Sequence, residues 1–176
     1  MFRNLPPITK NLLIINLLFY FATIVFQRYD IDLIHLLGLH YITASDFYVW
    51  QPLTYMFMHA GFTHLFFNMF AVLMFGPAIE ERWGSQRFLI YYLITGLGAA
   101  LVQESVWALQ LQSALNSLHP AVASAFANKV ITIGASGAVF GILMAFGWFF
   151  PDIRMFILFI PIPIRARTLV CIYALV

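Results

Sequence analysis

Charge is scarce in this chain. Lys, Arg, Asp and Glu make up 9% of its 176 residues, 62% are hydrophobic, and the mean hydropathy is +0.89. So few charged groups cannot cover a soluble domain; several stretches of about 20 apolar residues mark membrane helices instead. Cysteine is reduced to Cys171, inside an apolar run. No disulfide framework can form within the chain, and packing is that residue's default role. The net charge of +2 offers no basic face for a nucleic acid. Low-complexity tracts and internal repeats are absent. Aspartate is missing between Asp46 and Asp152, which excludes paired aspartates as the chemistry of the helices there.

The apolar runs predict an all-α, polytopic membrane protein in a single unit, residues 1–176. Complete helices are expected at about 11–26, 52–79, 86–111 and 134–150, and a fifth begins at 166–176. Arg3 and Lys10 precede the first run. A signal peptide would show a small-x-small cleavage site; none follows, so the helix is read as retained. Residues 27–51 mix Ile31, Leu33, Leu36 and Leu39 with Asp30, Asp32, His35 and His40, as suits a segment lying in the membrane interface. Phe47, Tyr48 and Trp50 read as interface anchors. Residues 112–131 read as a second long loop. Met155–Ile164, split by Pro161 and Pro163, reads as an extended or interfacial turn. With the N-terminus inside, Arg3, Lys10, Arg82, Arg87, Arg154, Arg165 and Arg167 fall inside and only Arg28 and Lys129 outside. That asymmetry places both long loops outside.

Polar groups within the apolar runs mark the candidate site, because at membrane depth they are costly and face the protein interior. His64 and Asn68 are four apart and share a helix face. His59, read on the same helix, would lie roughly 140° from His64. Ser136 sits among Gly134, Ala135, Gly137 and Gly141 at the start of a later helix. Gly137 and Gly141 form GxxxG, a close-packing face. Both helices run inward, so Ser136, His64 and Asn68 meet at similar depth. The serine can attack a carbonyl, and its own N–H with His64 and Asn68 can donate to the oxyanion. Packing alone is the competing reading. A zinc protease would need HExxH, and the spacing of His59 and His64 does not give it. Glu104 is assigned no role, and no metal or cofactor is expected.

These residues resemble the rhomboid intramembrane serine proteases. Gly134-Ala135-Ser136-Gly137 is similar to the family's GxSG, and His59, His64 and Asn68 to its HxxxxHxxxN. Glu80-x-Arg82-x-Gly84-Ser85 is similar to its ExRxGS turn. Trp50-Gln51 is similar to its Trp-Arg pair, with glutamine for arginine. The resemblance implies a bacterial inner-membrane protease with its cavity open to the outside, cleaving single-span membrane proteins at helix-destabilising sites. It implies Ser136 as nucleophile and His64 and Asn68 as oxyanion donors, with His59 structural or water-organising. It further implies Phe140 as the ring on which the base histidine stacks, and Gly137 and Gly141 packed against a sixth helix. That base lies on the sixth helix in the family, beyond Val176. The chain is therefore read as an incomplete protease, inactive by itself. A catalytically dead relative that binds membrane clients is the alternative, and oligomeric state is open.

Overall fold

A computed structural model describes residues 5–157 and 160–175; Arg3, Leu158, Phe159 and Val176 lie outside the described residues. Helix α1 (Pro7–Gln27) opens on Pro6-Pro7, where a missing N–H removes no helical bond. It is followed by α2 (Leu33–Leu37), whose first turn is capped by Asp32 through a 3.0 Å bond from the His35 N–H. Then come β1 (Leu39–His40), α3 (Gln51–Thr54) and a 3-10 turn, Tyr55–Phe57. Helices α4 (Phe62–Trp83) and α5 (Ser85–Gln110) are hinged at Gly84, whose φ of 81° is open to glycine at little cost.

The expected loop 112–131 is largely helical: α6 (Gln112–Ser117) and α7 (Pro120–Ala127) precede β2 (Ile131–Thr132). β1 and β2 pair antiparallel, Leu39 with Thr132 and His40 with Ile131, which joins the two long connections. Helix α8 (Ser136–Phe149) follows. The segment expected as an extended turn is a hairpin of β3 (Arg154–Ile157) and β4 (Ile160–Arg165), leading into α9 (Ala166–Leu175).

The single helix expected at 52–79 is in fact broken between α3 and α4. In a continuous helix the Tyr55 carbonyl would accept the N–H of His59. Here it accepts the Gly134 N–H at 2.9 Å, and residues 58–61 run on to Gly61 in extended backbone at φ −179°. His59 therefore lies ahead of the helix that carries His64, and the 140° relation does not apply.

Among the described residues, three segments are long and apolar enough to cross a bilayer: Pro7–Gln27, Phe62–Trp83 and Ser85–Ser117. The fourth expected span, α8, is shorter at 14 residues. It packs between α4 and α5, and α1 closes on α4. Val72, Ile79, Phe88, Tyr92 and Ile142 are fully buried where these helices meet, while Leu18, Phe21, Ile94 and Leu101 face outward.

One carboxylate ties one end of the bundle together. Glu80, near the end of α4, accepts from the Ile8 N–H (2.9 Å), the Thr9 N–H (2.7 Å), the Thr9 hydroxyl (2.8 Å) and the Ser85 hydroxyl (2.6 Å). It caps α1 from 71 residues away and places a negative charge at that helix's positive end. Arg82 lies over the Phe149 ring at 4.8 Å, and Trp83 packs edge-on against Tyr91 and Phe149. The Glu80–Ser85 turn thus fastens α1, α4, α5 and α8 at one end.

Candidate active site

Gly134 brings the site together. Its φ is 125°, a backbone state that side-chain-bearing residues rarely adopt. A Cβ built there would stand 2.7 Å from both Cε1 and Nε2 of His64, and 3.8 Å from the Ser136 hydroxyl oxygen. The His64 ring therefore lies directly against Gly134, and the Ser136 hydroxyl borders the same small space. Only glycine leaves room for that approach.

The His64 ring is oriented by its other nitrogen. Nδ1 accepts the Ala60 N–H across a long 3.5 Å. A neutral imidazole that accepts at Nδ1 carries its proton on Nε2. The nitrogen facing Gly134 is thus a donor. Asn68, one turn along, is buried and gives one Nδ2 hydrogen to the His64 carbonyl at 2.9 Å; the amide has a second to give. Ser136 is the first residue of α8, so its N–H has no partner within the helix and lies at the positive end of the helix dipole. Ser136 itself is exposed and His64 half-buried.

His59 is 1% exposed, with Nδ1 3.3 Å from the Phe57 carbonyl and its ring edge-on to His64 at 5.0 Å. Burial, and after it the neighbouring His64, lower its pKa to about 4. It is a neutral wall of the site.

The small face of α8 does pack closely, and its partner is α5. A Cβ on Gly137 would collide with the Ala99 side chain, and one on Gly141 would come 2.7 Å from Thr95 Oγ1 and Cγ2. The Tyr91 hydroxyl donates to the Gly141 carbonyl at 2.8 Å. Within residues 1–176 the partner of these glycines is α5; the sixth helix expected there lies beyond them. Phe140, one turn beyond Ser136, is 42% exposed on a different face, along with Met144 and Trp148. Tyr55 went unread in the sequence, where an aromatic within an apolar run signals only core. Its carbonyl holds Gly134, and its hydroxyl donates to the Gly96 carbonyl at 2.7 Å.

Residues 46–176 match the family model of the Rhomboid domain. The chain belongs to the rhomboid family. RHOMBOID-like protein 6, mitochondrial, of Arabidopsis thaliana is 36% identical over 96 residues, covering 54% of this chain and 25% of that protein. Putative rhomboid protease YdcA of Bacillus subtilis is 32% identical over 93 residues, 53% of this chain and 37% of its own. Rhomboid-like protein 11, chloroplastic, of Arabidopsis thaliana is 33% identical over 132 residues, 74% of this chain and 38% of its own. The matched stretch thus spans well under half of each relative. Family and apolar helices together make this rhomboid chain a multi-pass membrane protein, and the family supports an intramembrane protease-like function.

Proposed function

We propose that the protein is an intramembrane serine endopeptidase that cleaves the spanning segments of single-span membrane proteins. The observation that carries the reading is that the His64 Nε2 and the Ser136 hydroxyl both lie within 4 Å of one point beside Gly134. The Ser136 oxygen attacks a peptide carbonyl carbon. The oxyanion receives hydrogen bonds from the Ser136 N–H, the His64 Nε2–H and the Asn68 amide. The carbon–nitrogen bond then breaks, the leaving amine takes a proton, and water releases the acyl group.

A base must take the serine proton. His64 holds its own proton on the nitrogen facing the site, and His59 is buried and weakly basic. By resemblance the base is a histidine on a sixth helix, which is not among residues 1–176, and Phe140 is the ring beside which it stacks. Short α8 supports a sunken site. Its 14 residues reach about 21 Å against a hydrocarbon core of about 30 Å. With Asp152, Arg165 and Arg167 at the inner surface, Ser136 lies about 9 Å below the outer one. The charge asymmetry supports a cell-membrane protein with its N-terminus inside and the site opening outward.

The test is labelling by a fluorophosphonate serine probe in detergent. The product of the whole reading frame should label, its Ser136→Ala variant should not, and residues 1–176 alone should label far more slowly. An unlabelled whole product, in micelles that still admit the probe to a known serine hydrolase, would favour a client-binding rhomboid without catalysis.

A further inference from the structure

Two histidines that match no motif converge in the first connection. His35 lies on α2, His40 on β1, and Asp46 in the turn before α3. One nitrogen of each ring and one Asp46 oxygen all lie within 4.8 Å of one another. The His35 Nε2 is 3.2 Å from Asp46 Oδ2, and the two imidazoles meet edge-on at 4.7 Å.

His40 is the informative member. It is fully buried, its Nδ1 lies 3.3 Å from the Gly38 carbonyl, and its Nε2 has no hydrogen-bond partner. A carbonyl can only accept, so Nδ1 carries the proton and Nε2 presents a bare lone pair. A buried lone pair without a partner is unfavourable. A ring N–H held by a backbone carbonyl is also how metal-binding histidines are usually oriented. The support extends outward. Gln51, fully buried, accepts from the His40 N–H at 3.3 Å and donates to the Asp46 carbonyl at 2.9 Å, so one amide fixes the backbones of two of the three residues.

We propose that His35, His40 and Asp46 form a binding site for a zinc-class divalent cation, with a water in the fourth position. Two imidazoles and a carboxylate are a zinc-type donor set. Bonds of about 2.0–2.2 Å put tetrahedral donor atoms roughly 3.4 Å apart; the His35–Asp46 pair is already that close, and modest side-chain rotation closes the rest. The cation takes the place of the direct His35–Asp46 contact. It enters from their side, where the side chains are 44% and 31% exposed. Binding would fasten α2 to the turn before α3. It would also stiffen β1, whose His40 pairs with Ile131, five residues before Ser136.

The experiment uses the full-length protein without a histidine tag, purified in detergent and stripped with a chelator. Zinc chloride is titrated against a chromophoric competitor, and cobalt is added separately for its visible spectrum. One zinc per chain and the intense bands of four-coordinate cobalt are expected. His35→Gln and Asp46→Asn, both at half-exposed side chains that leave the core intact, should each weaken zinc at least tenfold. His119→Gln, at the start of α7, should not. His40→Gln should abolish the cobalt spectrum with the fold retained by circular dichroism; if that variant fails to fold, the two exposed variants decide. Absence of stoichiometric zinc in the parent protein would overturn the proposal, as would uptake that His35→Gln and Asp46→Asn leave unchanged. The site is independent of the serine chemistry, and its test needs no proteolysis.

Discussion

At the scale of single residues, Gly134 carries the most weight. Gly134→Ala forces a side chain into a φ of 125° and pushes its Cβ against His64. Proteolysis should fall by at least tenfold, while thermal unfolding in detergent shifts by only about 1–2 kcal/mol, the cost of the strained backbone. His64→Ala and Asn68→Ala should each lower turnover by about 10²–10³, as loss of one oxyanion donor does elsewhere, and leave folding intact; a cleavage assay on a reconstituted single-span substrate reads both. His59 gives a pH signature. Its pKa is lowered from 6.5 to about 4, so the unfolded chain binds a proton there before the folded chain does. Stability conferred by the neutral ring is complete above about pH 6.5 and declines as pH falls toward 4. Denaturation midpoints of His59→Asn should therefore depend less on pH across that window than those of the parent protein. That His64 and Asn68 lie one turn apart on a helix and that Ser136 opens another was legible from spacing, since a four-residue interval and a run of small residues are local signals. The true position of His59 was not, because the bond that breaks its helix comes from Gly134, far along the chain. The convergence of His35, His40 and Asp46 was hidden for the same reason: β1 pairs with β2 across more than 90 residues.

Among the elements, the termini of α1 and the first connection depend on two buried polar side chains. Glu80→Ala would strand the Ile8 and Thr9 N–H groups and the Ser85 hydroxyl. A loss of about 1.5–3 kcal/mol follows, and Ser85→Ala should cost about 1 kcal/mol; thermal unfolding in a fixed detergent measures both. Gln51 is the second case. Its amide oxygen accepts from the His40 and Tyr48 N–H groups while its nitrogen donates to the Asp46 carbonyl. An arginine has five donors and no acceptor, so Gln51→Arg should loosen residues 38–51. Faster hydrogen exchange at the His40 and Tyr48 amides would show it. Helix ends at Pro7 and Gly84 were readable because proline and glycine punctuate locally. The helices within 112–131 were not, since their sequence lacks a periodic apolar stripe. The GxxxG face announced close packing but not its partner, which the topology assigns to α5.

For the whole molecule, the proposed orientation, N-terminus inside, can be checked directly. In a Cys171→Ser background, Asn116→Cys should react with a membrane-impermeant maleimide in intact spheroplasts. Gln86→Cys, in the first turn of α5 at the opposite end, should react only after permeabilisation; the reverse pattern would invert the proposed topology. The apolar runs alone identified a multi-pass helical protein, because continuous runs of about 20 residues satisfy their backbone in lipid as helices, whereas barrel strands are half as long and alternate in polarity. The order in which it assembles follows from the Glu80 cap. Translation at about 5–20 residues per second makes the 71 residues separating Thr9 from Glu80 in roughly 4–14 s. Throughout that interval the first turn of α1 has no carboxylate to bind its amides, and water and lipid headgroups must do so. The cap on α1 is therefore completed only once α4 has been made, so the start of the first helix is fixed by a residue synthesised after it.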